Sequence, residues 1–143
     1  MCTNATNNPL QAFDCYRITD WYDAGTITWE ECSVDTTSGG DAITGTFRPQ
    51  EPGLYRFTFT GLLFLPSTPL TNGYVFIMIN GQWAAGSGIN EFADSVTGLF
   101  TISLDIIHEL QAGDRVDIRF DPTGGSYLYS FDRRMVHWTG QKL

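Results

Sequence analysis

A chain of 143 residues is the size of one domain, long enough to bury roughly two-thirds of its unfolded surface without metal or many disulfides. Its net charge of −8, with Lys142 the one lysine, provides no basic footprint for binding a nucleic-acid backbone or an anionic bilayer. No apolar run approaches the roughly 18–20 residues of a membrane-spanning helix, so no membrane insertion is expected, and Met1-Cys2-Thr3-Asn4 lacks the basic and apolar regions of a signal peptide.

Residues 1–10 are polar and read as a tail ahead of one domain over residues 11–143. Asn4-Ala5-Thr6 is a glycosylation sequon, and Cys15 and Cys32 lie close enough to close a small loop as a disulfide. Both features favour the secretory pathway; two buried reduced thiols are the alternative for the cysteines. Cys2 is then left over, either linking chains or standing idle. Ten Phe, six Tyr and four Trp, punctuated by fifteen Gly and six Pro, suit short strands joined by turns.

Phe47-Arg48-Pro49 reads as the end of a strand, and Pro52-Gly53 as the turn that follows. Residues 54–60 alternate, with Tyr55, Phe57 and Phe59 on one face and Arg56, Thr58 and Thr60 on the other, the pattern of a half-buried antiparallel strand. Residues 74–79 are apolar at every position, so both faces are expected to be covered, one by the core and the other by a second subunit. Asn80-Gly81 is a strong hairpin signal leading into Gln82-Trp83-Ala84-Ala85. Alternation resumes at residues 99–107, where Phe100, Ile102, Leu104 and Ile106 oppose Thr101, Ser103 and Asp105. Ala112-Gly113-Asp114 turns the chain into a strand whose Val116, Ile118 and Phe120 share one face; Asp117, Arg119 and Asp121 read as its solvated side. Residues 121–125 form a loop, and residues 127–131 and 135–139 complete the strand-like material. Helical periodicity is poor throughout. The chain is therefore expected to be all-β, a two-sheet antiparallel sandwich or jelly roll.

Particular residues narrow that expectation. Thr46-Phe47-Arg48-Pro49-Gln50-Glu51-Pro52-Gly53-Leu54-Tyr55-Arg56-Phe57 carries a Phe, a Pro-Gly turn and then Tyr-x-Phe on the next strand. Leu110-Gln111-Ala112-Gly113-Asp114-Arg115-Val116 is a Leu-x-x-Gly-Asp-x-Val turn, and Val136-His137-Trp138-Thr139-Gly140 sets an aromatic, a small residue and a Gly near the end. In this order they resemble the globular head domains of the C1q family, in the C1q/TNF superfamily; Phe13-Asp14-Cys15-Tyr16-Arg17 and Thr26-Ile27-Thr28-Trp29 are similar to the first strands of invertebrate-type members. The resemblance spans roughly residues 11–143. It implies a jelly roll of about ten strands that assembles as a compact homotrimer, is secreted, and recognises surface glycans or proteins in innate immunity or adhesion. A TNF-like ligand that binds a signalling receptor and a trimerisation head of a collagen-like or matrix protein are alternatives on the same fold. Family heads often stand on a collagen-like or coiled-coil stalk; these 143 residues contain neither a Gly-X-Y repeat nor a sustained heptad.

Glu91 and Asp94 are candidate calcium ligands, since carboxylates and loop carbonyls suit a hard cation and some relatives of the resembled family hold calcium near the trimer axis; a solvated acidic loop is the alternative. Calcium is the one cofactor that these residue types suggest. Arg133 and Arg134 can grip a carboxylate or sulfate on a glycan or protein ligand, or simply form a charged edge that guards against aggregation. Trp83, Tyr127 and Tyr129 can stack on sugar rings or serve as core and subunit contacts. Three Cys and two His show no paired spacing for zinc. His108 and His137 flank no nucleophile motif, and no G-x-S-x-G elbow, P-loop, G-x-G-x-x-G or acid–base carboxylate pair occurs, so no enzymatic activity is expected.

Overall fold

The computed structural model describes residues 11–36, 41–66, 71–90 and 98–143. Among them, eleven strands run in chain order: β1 Ala12–Arg17, β2 Gly25–Thr26, β3 Glu31–Asp35, β4 Thr46–Phe47, β5 Gly53–Leu65, β6 Asn72–Ile79, β7 Gln82–Asn90, β8 Gly98–Leu110, β9 Val116–Thr123, β10 Tyr127–Tyr129 and β11 Val136–Lys142. One turn of helix, α1 (Asp41–Thr44), precedes β4. Six strands form one sheet in the order β10-β5-β11-β1-β3, with β8 also paired to β5; the other five form β2-β9-β6-β7, with β4 also on β9. This is the expected two-sheet antiparallel jelly roll. Among the described residues, no helix is long and apolar enough to cross a membrane.

Alternation builds both sheets. On β5, Tyr55, Phe57, Phe59, Leu63 and Leu65 point inward and are fully buried. Across the sandwich they meet Val75 and Ile77 of β6 and Val116, Ile118 and Phe120 of β9, all in the same core. Phe13 and Trp138 pack 4.4 Å apart between ring centroids, and Trp29 stacks on Trp138 at 5.9 Å. A Cβ on Gly140 would come within 2.4 Å of the Phe13 ring, so β11 passes through the core face with no side chain at that point. Tyr55 is buried because its hydroxyl has two partners, the Glu51 carbonyl at 2.8 Å and the Gln11 side chain at 3.0 Å.

The turns follow the sequence signals. Asn80 and Gly81 have φ of 52° and 79°, the two positive values that a type I′ hairpin needs. Gly113 has φ of 86°, which allows the tight return into β9, and Asp114 locks that return by accepting from the Gln111 amide at 2.8 Å. Cys15 and Cys32 are directly opposite in the β1–β3 register and form a disulfide.

A short helix and a longer β9 depart from the sequence reading, since residues 121–123, read there as loop, continue β9 to Thr123. Helix α1 is four residues long, too short to show a periodicity, and buries Ala42 completely. On β6, the outer side chains are partly covered by their own chain. The Phe76 and Tyr74 rings lie over Gly86 and Gly88 of β7, and Phe76 stacks on Trp83 at 5.4 Å. Tyr74, Phe76 and Ile79 remain half-exposed in the single chain.

Candidate functional site

The outward face of the six-stranded sheet is a grid, because residues of equal register on neighbouring strands share a side. At one end the rows are apolar. Leu99, Phe64 and Tyr127 stand side by side on β8, β5 and β10, and Leu62 stands opposite Tyr129 in the next row. The Tyr127 ring packs between Phe64 at 4.9 Å and Tyr22 at 4.7 Å; Tyr129 stacks on Phe131 at 5.7 Å. Tyr22 and Phe131 are each 60% exposed and Leu99 is 46% exposed, while Leu62, Phe64, Tyr127 and Tyr129 are half-buried. Burial beside Phe64 and Tyr22 pushes the Tyr127 hydroxyl pKa above its ordinary value, and the Tyr22 and Asp20 charges add to the shift.

At the other end the rows are polar. Thr60, His137, Tyr16 and Glu31 form one, and Thr58, Thr139 and Asp14 the next. His137 Nε2 pairs with Asp14 Oδ1, and the Thr58 and Thr139 hydroxyls share a hydrogen bond. Tyr16 donates to Glu31 Oε2 at 2.6 Å, a bond that, together with burial, raises the Tyr16 pKa. A depression of about 370 Å³ lies here, lined by Thr58, Thr60, Arg134, Met135, His137 and Thr139.

On the opposite side of the molecule, the outward face of the five-stranded sheet mixes aromatic and basic groups. Phe76 stands opposite Arg119, and Met78 is flanked by Asp117 and Trp83. Trp83 is 74% exposed.

Two solved structures share this arrangement of sheets. The globular domain of zebrafish complement 1qA protein is 19% identical, with 91% of this chain and 94% of that chain covered at a TM-score of 0.61. Eiger TNF from S. frugiperda is 17% identical, with 95% and 94% covered at a TM-score of 0.66. The chain has the C1q/TNF jelly-roll fold. No protein-family model matches it, and no curated protein matches it by sequence.

Within this jelly roll the sequence-predicted residues fall in different places. Arg133 and Arg134 are both exposed in the loop before β11, and the Arg134 guanidinium lies 4.6 Å over the Tyr16 ring and lines the polar depression. Phe131, Asp132 and Arg134 all have positive φ, and Asp20 holds this loop by accepting from the Ser130 amide at 2.6 Å and the Phe131 amide at 3.0 Å. The candidate calcium ligands Glu91 and Asp94, the sequon at Asn4, and Cys2 lie outside the described residues. Among the described residues, Cys15, Cys32 and Asp35 are the one group spaced to hold a metal ion, but both sulfurs are spent in the disulfide. His108 is exposed beside the Glu109 carbonyl, remote in register from His137.

Sequence reasoning missed two groupings. The Tyr22–Tyr127–Phe64 cluster joins residues from three separate segments, and only the Phe64–Tyr127 register brings it together. The arginines of the five-stranded sheet appear scattered along the chain, although the alternation at residues 115–119 already places Arg115 and Arg119 on one side.

Proposed function

We propose that the chain is an extracellular homotrimeric recognition module, which holds a surface glycan or protein at three equivalent sites. The observation that carries this reading is the apolar end of the six-stranded sheet, where Leu62, Phe64, Leu99 and Tyr127 face outward with the exposed Tyr22 and Phe131 beside them. Contiguous apolar surface of this kind is stabilised by burial against another protein surface, and a second copy of the chain is always at hand. The likeness to a complement 1qA globular domain supports a recognition role, and the disulfide suits an oxidising compartment. Three weak sites on one rigid assembly strengthen binding to a repetitive surface by about a hundredfold or more over a single site.

Sedimentation equilibrium at micromolar concentration tests the reading, with a single species of three chain masses as the expected result. A stable monomer overturns it. Recovery of a single cell-surface receptor from cells, with no glycan bound, moves the function to a signalling ligand of the kind that the Eiger likeness suggests.

A further inference from the structure

Two of the chain's arginines are neutralised by carboxylates: the buried Arg17 pairs with Glu30 at 3.1 Å and the exposed Arg56 with Asp105 at 2.6 Å. Three others gather on the outward face of the five-stranded sheet. Arg115 immediately precedes β9 and Arg119 lies within it, both on the side opposite the buried Val116 and Ile118. The β4–β9 register pairs Thr46 with Asp117 and Phe47 with Val116, and its continuation sets Arg48 across from Arg115. All three line one depression of about 220 Å³ together with Thr26, Met78 and Asp117.

Among the described residues, none of the three arginines makes a salt bridge. Asp117 is the carboxylate among them, and its Oδ2 is engaged by the Thr26 hydroxyl at 2.9 Å. Like charges directly across a sheet repel, so Arg48 and Arg115 work against the stability of the fold. The chain has sixteen acidic residues against eight basic ones, ample to neutralise this cluster, yet the cluster stands with one carboxylate for three guanidinium groups. Guanidinium forks of this kind match the oxygens of a sulfate or carboxylate. Phe76 lies one strand away on β6 and Trp83 two strands away on β7, roughly 10 Å from β9 at the spacing of neighbouring strands, and their stacked rings form a flat apolar shelf.

We infer that this face is a binding site for a saccharide bearing an isolated oxyanion, either a sulfate ester or a carboxylate, with the anion among Arg48, Arg115 and Arg119 and the sugar ring on Trp83. The inference rests on the reading of the chain as a recognition module and names the class of ligand. An extended polyanion fits less well, because the net charge of −8 repels it everywhere outside the depression.

Calorimetric titration of the purified chain with galactose 6-sulfate, glucuronate, galactose and inorganic sulfate tests the site. Galactose 6-sulfate or glucuronate should bind at least about tenfold more tightly than galactose. Arg115→Gln and Arg119→Gln should each weaken that binding by about tenfold, the loss expected for one charge-assisted contact. Their thermal midpoints should be unchanged or raised, because the repulsion is relieved. Trp83→Ala should weaken the acidic saccharide while leaving inorganic sulfate unaffected. Equal binding of galactose and the acidic sugars, wild-type affinity in Arg115→Gln, or a DNA oligonucleotide binding as tightly as the saccharide each overturns the site. Sedimentation of the same samples separates the two claims: a trimer that binds no acidic sugar sinks the site alone, and a monomer that binds one sinks the assembly alone.

Discussion

Arg17 is a charge buried at the end of β1, with 7% of its surface exposed, and such a charge is tolerated only when its donors are satisfied. Its guanidinium reaches the Thr28 carbonyl at 2.6 Å, the Thr19 carbonyl at 3.1 Å and Glu30, and lies 4.7 Å over the Trp21 ring. Glu30 Oε1 in turn accepts from the Ile18 and Thr19 amides and from the Thr19 hydroxyl. Burial pushes the Glu30 pKa up, but the bonds from Thr19 and Ile18 and the Arg17 charge outweigh it and hold the carboxyl below its ordinary value of 4.5. Because the folded pKa is the depressed one, the stabilisation is complete above the ordinary value and is lost as the pH falls through the folded value. Asp105, held down by Arg56, and Asp114, held down by the Gln111 amide and Asn80, add to the same acid loss. Glu30→Gln should therefore cost about 2 kcal/mol at pH 7, and its deficit against the wild type should shrink as the pH is lowered below about 4.5. Urea midpoints of both proteins at pH 7 and pH 3 measure it. A deficit that does not change with pH would show that the Glu30 charge has no part in holding the loop.

At the scale of elements, the β1–β3 pairing is short, and four of the five residues of β3 are exposed. The Cys15–Cys32 bond, at a separation of 17 residues, adds a covalent tie to the backbone ladder and the Tyr16–Glu31 hydrogen bond that hold this edge to the sheet. On the chain-entropy account, a loop of that size is worth about 3 kcal/mol, so the paired Cys15→Ala, Cys32→Ala variant should melt roughly 10 °C lower in a thermal scan. An unchanged midpoint would mean that β3 holds its place without the staple. The strands themselves were readable in advance wherever alternation ran long: β5, β8 and β9 follow the inward and outward assignments of Tyr55, Phe57, Ile102, Leu104, Val116 and Ile118. The Asn80-Gly81 turn and the cysteine pair were readable for the same reason, that each is a local rule. What stayed hidden is what register decides. No short-range pattern pairs Phe64 with Tyr127 or sets Arg48 against Arg115, because those meetings depend on which strands become neighbours. Two-residue strands such as β2 and β4 likewise owe their extended form to the β9 ladder and to no propensity of their own.

Across the whole molecule, the two sheets turn different chemistry outward, an apolar end on the six-stranded sheet and a basic depression on the five-stranded one. If assembly buries the first, the second stays free for a ligand. Phe64→Glu sets a charge amid the apolar rows while the rest of the fold keeps its core, so sedimentation should give a monomer whose circular dichroism is unchanged. A Phe64→Glu protein that still sediments as a trimer would place the subunit contact elsewhere. The order of strands also constrains how the chain comes into being. β11, the last strand in sequence, is hydrogen-bonded on one side to β1 and on the other to β5, so it is an interior member of its sheet. During synthesis, β1 and β5 must wait with open ladders until residues 136–142 have left the ribosome, and the gap between them is one strand wide. Synthesis has to pass Lys142 before the sheet can close, and a stop codon ahead of Val136 leaves two sticky edges with no native partner.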